Sequence, residues 1–372
     1  MALIRALGYH VTSINFETGP DEFYEQLYGL SSKIDNLRKG FDCEVWTRRV
    51  VLPQLPGVDP RLLSRYVELA ELAARDIGVD FIAFPFSDIK LNKYRSAFAE
   101  ILKDNKNIVS SVKIAGLGEV PTYTEVASAV NALFELAETA GPEACTRFAL
   151  ACGDQPETAY FPDAASRREG FSITLRYVPD LMESIANGSI ENLTTSLLKI
   201  FKHFEISAKR ASKSAEVPYL GTDTSLSPWM EESVARLVSK MLGDEFGSPG
   251  TYDAVNRLNV ALERANSEIN ALGFGEVMLS VAEDNMLKEL CGAGKIGLQH
   301  LVSMIQMCVA GLDMVAIPLS TSRERLARLL MDVLAIAHRK RRPVGVRLLL
   351  VPSNPNSYVE IGRFGRVPVL QV

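Results

Sequence analysis

The amino-acid sequence predicts an α/β fold built on a mostly parallel sheet. Short apolar runs alternate with long amphipathic stretches almost from end to end, which is the pattern of strands joined by helical crossovers. No Pro-, Gly- or Ser-rich linker, internal repeat or low-complexity tract divides the 372 residues, so a single domain over 1–372 is expected. A content of 47% hydrophobic and 23% charged residues supplies a large buried core.

Strand-like runs fall at 4–14, 44–52, 81–84, 108–114, 148–151, 172–177, 219–222, 276–281, 314–317, 344–351 and 358–361. Helix-like stretches lie near 21–39, 60–78, 122–140, 189–212, 229–243, 253–272, 298–310 and 322–338. The 253–272 stretch shows the logic. Val255, Leu258, Leu262, Ala265, Ile269 and Leu272 recur at spacings of three and four and form one apolar stripe, which Gly273 then stops. Thr321 and Glu324 read as a capping box ahead of 322–338. The segment 152–169 is too long, and too rich in proline and aromatic residues, for a simple connection. Tyr160 and Phe161 make it a lid or an interface, packed over a barrel mouth or against a second subunit.

Charge and composition exclude several classes. A net charge of −5 argues against a nucleic-acid partner, which needs a basic field. The basic cluster His338–Arg342 reads as a helix C-terminus, where cations complement the dipole. No run approaches the ~18 apolar residues of a membrane span, and no signal peptide is visible, so a cytoplasmic protein without membrane association is expected. Five cysteines without a Cys-x-x-Cys pair fit reduced thiols, not a zinc site or a disulfide frame.

Few motifs carry chemistry. Gly292, Gly294 and Gly297 match a dinucleotide-binding spacing, but they follow a helix-like stretch and read as a helix–helix turn. The four histidines are scattered, which argues against a histidine metal site or a serine triad. Asp223 and Ser225 fall where a parallel strand ends, the end that carries the active site in α/β barrels. Ser227 followed by Pro228 looks like an N-cap with proline at the first helical position. Glu283 and Asp284 follow the 276–281 run; they are either acids of a helix first turn or a carboxylate pair beside Asp223, suited to acid–base work or a divalent cation. Gly311 reads as a helix C-cap, and Asp313 falls before its strand, at the opposite end. Cys308 reads as a core residue or, alternatively, as a nucleophilic or radical thiol.

These segments resemble the uncharacterised PFL-like family known as domain of unknown function 711. The resemblance rests on Asp-x-Ser-Leu-x-Pro at Asp223, Ser225, Leu226 and Pro228, on the pair Glu283-Asp284, and on the segment from Cys308 to Pro318. Weaker matches lie at Gly78–Ile82, Ser110-Ser111-Val112 and Gly250-Thr251. The resemblance implies a β/α barrel of about ten strands, similar to that of pyruvate formate-lyase and other glycyl radical enzymes, with a loop or hairpin reaching inside. The radical chemistry does not follow, because residues 362–368 lack the Arg-Val-x-Gly-aromatic segment that houses a glycyl radical. The family's glycine-rich stretch is reduced around Gly273 and Gly275.

The expected function is binding or transformation of a small anionic metabolite at the barrel mouth. Asp223, Glu283 and Asp284 are the candidate catalytic residues, and Ser225, Ser110, Ser111 and Thr251 the candidate ligand contacts. No cofactor is evident beyond a possible divalent cation. The alternative is a non-catalytic homo-oligomeric scaffold or metabolite sensor.

Overall fold

A computed structural model describes residues 2–55, 59–86, 95–185 and 189–372. The chain is a mixed α/β structure. Its strands are β1 (Leu3–His10), β2 (Val45–Val51), β3 (Phe81–Phe86), β4 (Ile108–Ala115), β5 (Phe148–Cys152), β6 (Gly170–Arg176), β7 (Tyr219–Asp223), β8 (Met278–Ser280), β9 (Ala310–Asp313), β10 (Val315–Pro318), β11 (Val344–Val346), β12 (Leu348–Val351), β13 (Tyr358–Glu360) and β14 (Arg366–Pro368). Around them lie α1 (Pro20–Tyr28), α2 (Ser31–Lys39), α3 (Pro60–Asp76), α4 (Arg95–Asp104), α5 (Tyr123–Ala140), α6 (Pro142–Cys145), α7 (Val178–Ser184), α8 (Ile190–Ala215), α9 (Val234–Leu242), α10 (Thr251–Asn266), α11 (Asn285–Gly292), α12 (Leu298–Met304) and α13 (Arg323–Lys340). No helix among the described residues is long and apolar enough to cross a membrane.

Ten strands form one sheet in the order β7-β6-β1-β2-β3-β4-β5-β11-β9-β8. Strands β1 to β5 are mutually parallel. So are β6 with β7, and β11 with β9 and β8. Two antiparallel seams, β1–β6 and β5–β11, join the groups. The sheet curls until its edges meet: the Leu226 N–H donates to Glu276 O at 3.1 Å and the Met278 N–H donates to Leu226 O at 2.9 Å. The first five strands therefore run one way and the other five run the opposite way. One mouth is built from the N-terminal ends of the first group and the C-terminal ends of the second.

Helices cover the sheet and explain its apolar strands, which are buried on both faces. Helix α8 lays Leu193, Leu197, Phe201, Phe204, Ala208 and Ala211 on one buried stripe. Thr122 and Glu125 form a reciprocal capping box at the start of α5.

Several sequence expectations are corrected. Helix α10 ends at Asn266, not at Leu272, because the following residues are recruited to the edge of β7: the Thr222 N–H donates to Asn270 O and the Leu272 N–H to Thr222 O. Ser322, not Thr321, caps α13 by accepting from the Arg325 N–H. Pro228 opens no helix; α9 starts at Val234 behind the Ser233 cap. Gly311 lies within β9, not at a helix end. The apolar run 344–351 is two strands broken at Arg347, and the adjacent chain kinks at Met314, whose φ is 54°. Past the kink β10 and β12 continue as a separate parallel pair. Gly292 ends α11, and residues 293–297 form the turn to α12.

Candidate active site

The segment between β5 and β6 leaves the far end of β5 and runs along the inner face of the curled sheet. Its base is tied to the wall: Gln155 donates to Ser111 Oγ at 2.8 Å, and the Ser166 N–H donates to Leu52 O. Its middle residues, Tyr160 to Asp163, reach the mouth defined above and line a cavity of about 100 Å³. Tyr160 is buried and Phe161 is half-buried against the Arg49 guanidinium, 5.0 Å from its ring centre.

Five arginines line this cavity. Arg147 is spent on the backbone, donating to the carbonyls of Leu102, Asn105 and Ile108, and the other four converge from different elements. Arg5 is the extra residue of a β-bulge, since Ile4 pairs with Leu175 and Ala6 already with Thr174. A bulge re-aims one side chain, and here it brings Arg5 to the inner face. Its guanidinium donates to Ser227 Oγ and to Pro228 O, both at 2.8 Å, and to Glu283 Oε2 at 3.0 Å. Arg347 sits at the break between β11 and β12. It clamps Asp313 through two hydrogen bonds, one at 2.7 Å, and lies 3.6 Å from Glu283 Oε1. Arg49 donates to Thr47 Oγ1 at 3.1 Å and Ala159 O at 2.8 Å. Arg363, from a short 3-10 turn at Gly362–Phe364, stacks over Trp229 and Phe364 at 5.4 and 5.1 Å. Half-buried Trp46 and Trp229 meet edge-on at 4.7 Å and complete the wall.

The charges are unbalanced. Arg5 pairs with Glu283 and Arg347 with Asp313. Among the described residues, Arg49 and Arg363 have no carboxylate within ion-pair distance. Burial and the neighbouring guanidiniums of Arg5 and Arg363 disfavour the charge on Arg49; burial, Arg5 and Arg347 do the same to Arg363, against the pull of Glu283. Burial opposes ionisation of Glu283, but Arg5, Arg347 and Arg363 override it and hold the carboxyl below its usual range. Asp163 behaves in the opposite way. Burial pushes its carboxyl up to about 7, Arg347 pulling it down and Asp313 adding to the rise. Asp163 is pressed against β11 at Gly345, where a β-carbon would lie 2.2 Å from Oδ2; only glycine leaves room for the acid.

The sequence-predicted residues divide sharply. Glu283 faces the cavity. Asp284, its neighbour, faces away: it accepts from the Ser233 hydroxyl at 2.5 Å, from the Ala235 N–H at 3.0 Å and from the Leu287 N–H at 3.1 Å, so it caps α11 and anchors the start of α9. Asp223 is fully buried. It accepts from the Ser225 N–H and hydroxyl at 3.0 and 2.6 Å, from Thr158 at 2.6 Å, and from the Phe274 and Gly275 N–H groups at 3.1 and 3.3 Å. It thereby ties the inner loop and the 273–275 turn to β7, and the Ser225 hydroxyl, which accepts from Gly275, belongs to the same tie. Ser110 donates to Phe84 O, Ser111 holds Gln155, and Thr251 donates to Ser248 O and accepts from Gly247 in the turn before α10. None of Asp223, Asp284, Ser110, Ser111, Ser225 and Thr251 lines the cavity. Ser227, expected as a helix cap, does: it meets Arg5 and lies 2.8 Å from the Tyr160 hydroxyl.

Among the described residues, no group of three or more His, Cys, Asp or Glu is placed to hold a metal ion. His10 is buried with Nε2 2.7 Å from Ser172 Oγ, and burial lowers its imidazole to about 4. Cys308 is buried away from the cavity, and burial raises its thiol to about 12. Sequence reasoning missed Arg49, Arg347, Arg363 and Asp163. A signal existed for two of them: Arg49 and Arg347 interrupt apolar strand runs, as Arg5 does, and a buried charge is costly unless it is paired or functional.

The chain is similar to the UPF0210 protein of Pyrobaculum aerophilum, with 29% identity over 332 residues covering 82% of this chain and 73% of that protein. It is 23% identical over 396 residues to a UPF0210 protein of Acetivibrio thermocellus, covering 97% and 87%. A UPF0210 protein of Corynebacterium glutamicum is 28% identical over 331 residues, covering 81% and 70%. The family model described as "Uncharacterised ACR (DUF711)" matches residues 20–356, and the chain belongs to that family.

Proposed function

We propose that the barrel interior binds a small organic anion between Arg49 and Arg363 and performs acid–base chemistry on it, with Asp163 as the proton carrier. The observation that carries this reading is that Arg49 and Arg363 have no carboxylate partner among the described residues and, unlike Arg147, are not saturated by three backbone carbonyls. Each is disfavoured by burial and by its cationic neighbours, and a bound carboxylate relieves both costs through charge-assisted hydrogen bonds. The size is limiting. A cavity of about 100 Å³ accommodates roughly seven to ten water-sized groups, hence a ligand of on the order of ten heavy atoms or fewer.

Asp163 suits proton transfer because its carboxyl titrates near neutral pH, where one group serves as either acid or base. The surrounding guanidiniums favour negative charge developing on the substrate. Glu283 is a positioning residue: it orients Arg5 and Arg347 through both oxygens. This arrangement favours acid–base chemistry over a divalent cation, since the oxygens of Asp223 and Asp284 are already engaged and Glu283 stands between guanidiniums. We also infer that the barrel resembles that of the glycyl radical enzymes. Two oppositely running groups of five parallel strands, and a loop along the inner face of the sheet, support that likeness of fold.

The test is calorimetric titration with malonate, phosphate and acetate at constant ionic strength. Saturable binding of malonate is expected, weakened at least tenfold by Arg49→Met and by Arg363→Met. No binding of any of the three anions, or wild-type affinity in either variant, overturns the proposal.

A further inference from the structure

Ser280 occupies a position that the anion reading leaves unused. It ends β8, in register with Asp313 of β9, and lines the cavity. The residue is 1% exposed, and its hydroxyl oxygen has no hydrogen-bond partner among the described residues. A buried hydroxyl left unpaired costs roughly 1–3 kcal/mol, and nothing in the fold offsets that cost. The other hydroxyls of this cavity are engaged: Thr47 by Arg5 O, Thr146 by Glu143 O, Ser227 by the Arg5 guanidinium, and Tyr160 by Ser227.

Placement gives the hydroxyl a meaning. Ser280, Asp313, Gly345 and Arg347 belong to β8, β9 and the end of β11, and Asp163 is packed on Gly345 of the same wall. Arg49 belongs to β2. In the ten-strand order, with the edges joined, β2 stands five strands from β9, on the opposite wall. The cavity is thus polarised. Arg49 stands on one side, with Arg363 sharing the Phe81 ring with it at 5.7 and 6.0 Å; a carboxyl and an unpaired hydroxyl stand on the other.

We propose that the ligand is a small hydroxy- or oxo-acid, whose carboxylate meets Arg49 and Arg363 and whose hydroxyl or carbonyl oxygen is bound by the Ser280 hydroxyl. A serine hydroxyl serves either oxygen, since it both donates and accepts. A site built to bind an oxygen rejects the analogue that lacks it, because its own polar group is then left unpaired. The inference rests on the anion reading above, and the experiment separates the two.

The probes are propanoate, lactate and pyruvate, titrated calorimetrically into the wild type, Ser280→Ala and Arg49→Met. Lactate or pyruvate is expected to bind the wild type at least tenfold more tightly than propanoate. In Ser280→Ala that advantage falls below threefold while propanoate affinity is unchanged. The thermal midpoint of Ser280→Ala is expected to be no lower than that of the wild type, because the hydroxyl holds nothing in the fold. A wild type without preference, or a Ser280→Ala variant that keeps it, overturns the assignment of Ser280. In that case propanoate binding that depends on Arg49 leaves the anion site standing. Failure of all three acids to bind overturns both.

Discussion

Replacement of Asp223 by alanine is expected to damage the fold, not a reaction step, and the structure sets the size of the effect. The carboxylate accepts from three backbone N–H groups, those of Ser225, Phe274 and Gly275, and from the hydroxyls of Thr158 and Ser225. The hydroxyls can rotate toward other acceptors, and the Gly275 N–H keeps the Ser225 hydroxyl oxygen at 3.0 Å; the Ser225 and Phe274 N–H groups lose their acceptor. Each orphaned buried N–H costs about 1–3 kcal/mol. Burying the carboxylate has a cost of its own, visible in the upward push that burial exerts on its acidity, and the deletion recovers that part. A net loss of about 3 kcal/mol is therefore expected for Asp223→Ala, and about half of that for Asp223→Asn, which keeps one acceptor oxygen. Gly273→Ala attacks the same tie from the other side. The residue has φ 74°, and its β-carbon would lie 2.0 Å from Asp223 Oδ2. Urea unfolding followed by circular dichroism measures all three, and a shift in midpoint at constant slope reports stability alone. A loss below about 1 kcal/mol for Asp223→Ala refutes the reasoning.

Two further predictions follow from the same environment. The carboxyl of Asp163 lies above its ordinary range in the folded chain, so its contribution to stability is complete below the unfolded value, is lost as pH rises through about 7, and stays lost above. Asp163→Asn is neutral at every pH; its stability relative to the wild type should grow between pH 4 and 7 by on the order of 4 kcal/mol, then level off. Urea midpoints of both proteins across that range check this, and a pH-independent difference contradicts it. Burial raises the thiols of Cys145, Cys152, Cys291 and Cys308 to about 12; it raises Cys43 as well, but Cys43 is only half-buried and is the one thiol that solvent reaches. One thiol should therefore react readily with Ellman's reagent in the native protein and five after denaturation; two or more fast native thiols contradict the burial.

The alternating layout of the chain was legible because it depends on local periodicity. Apolar runs such as 108–114 and 148–151 mark strands buried on both faces, and the stripe of α8 marks a helix packed on one. Local signals misled where a distant strand competed for the backbone, as at 267–272 beside β7. The site was less legible for a related reason. Position after a strand singled out Asp223, Glu283 and Asp284 together, yet the direction of each side chain is decided by partners far along the chain. Glu283 meets Arg5 across 278 residues, while Asp284 turns to Ser233. The inward arginines lay in apolar runs, but which of them lack a carboxylate depends on the curl of the sheet. Asp163 stood in a segment read as a lid or an interface, and nothing local in the sequence showed that its residues Tyr160 to Asp163 line the cavity.

The central claim is that Arg49 and Arg363 hold a small anion inside the barrel. The most direct test is a crystal structure of the protein soaked in malonate. The account predicts density for one malonate in the cavity, with a carboxylate within hydrogen-bond distance of both guanidiniums. A cavity filled only by water at saturating malonate, or malonate bound only elsewhere on the molecule, would contradict it.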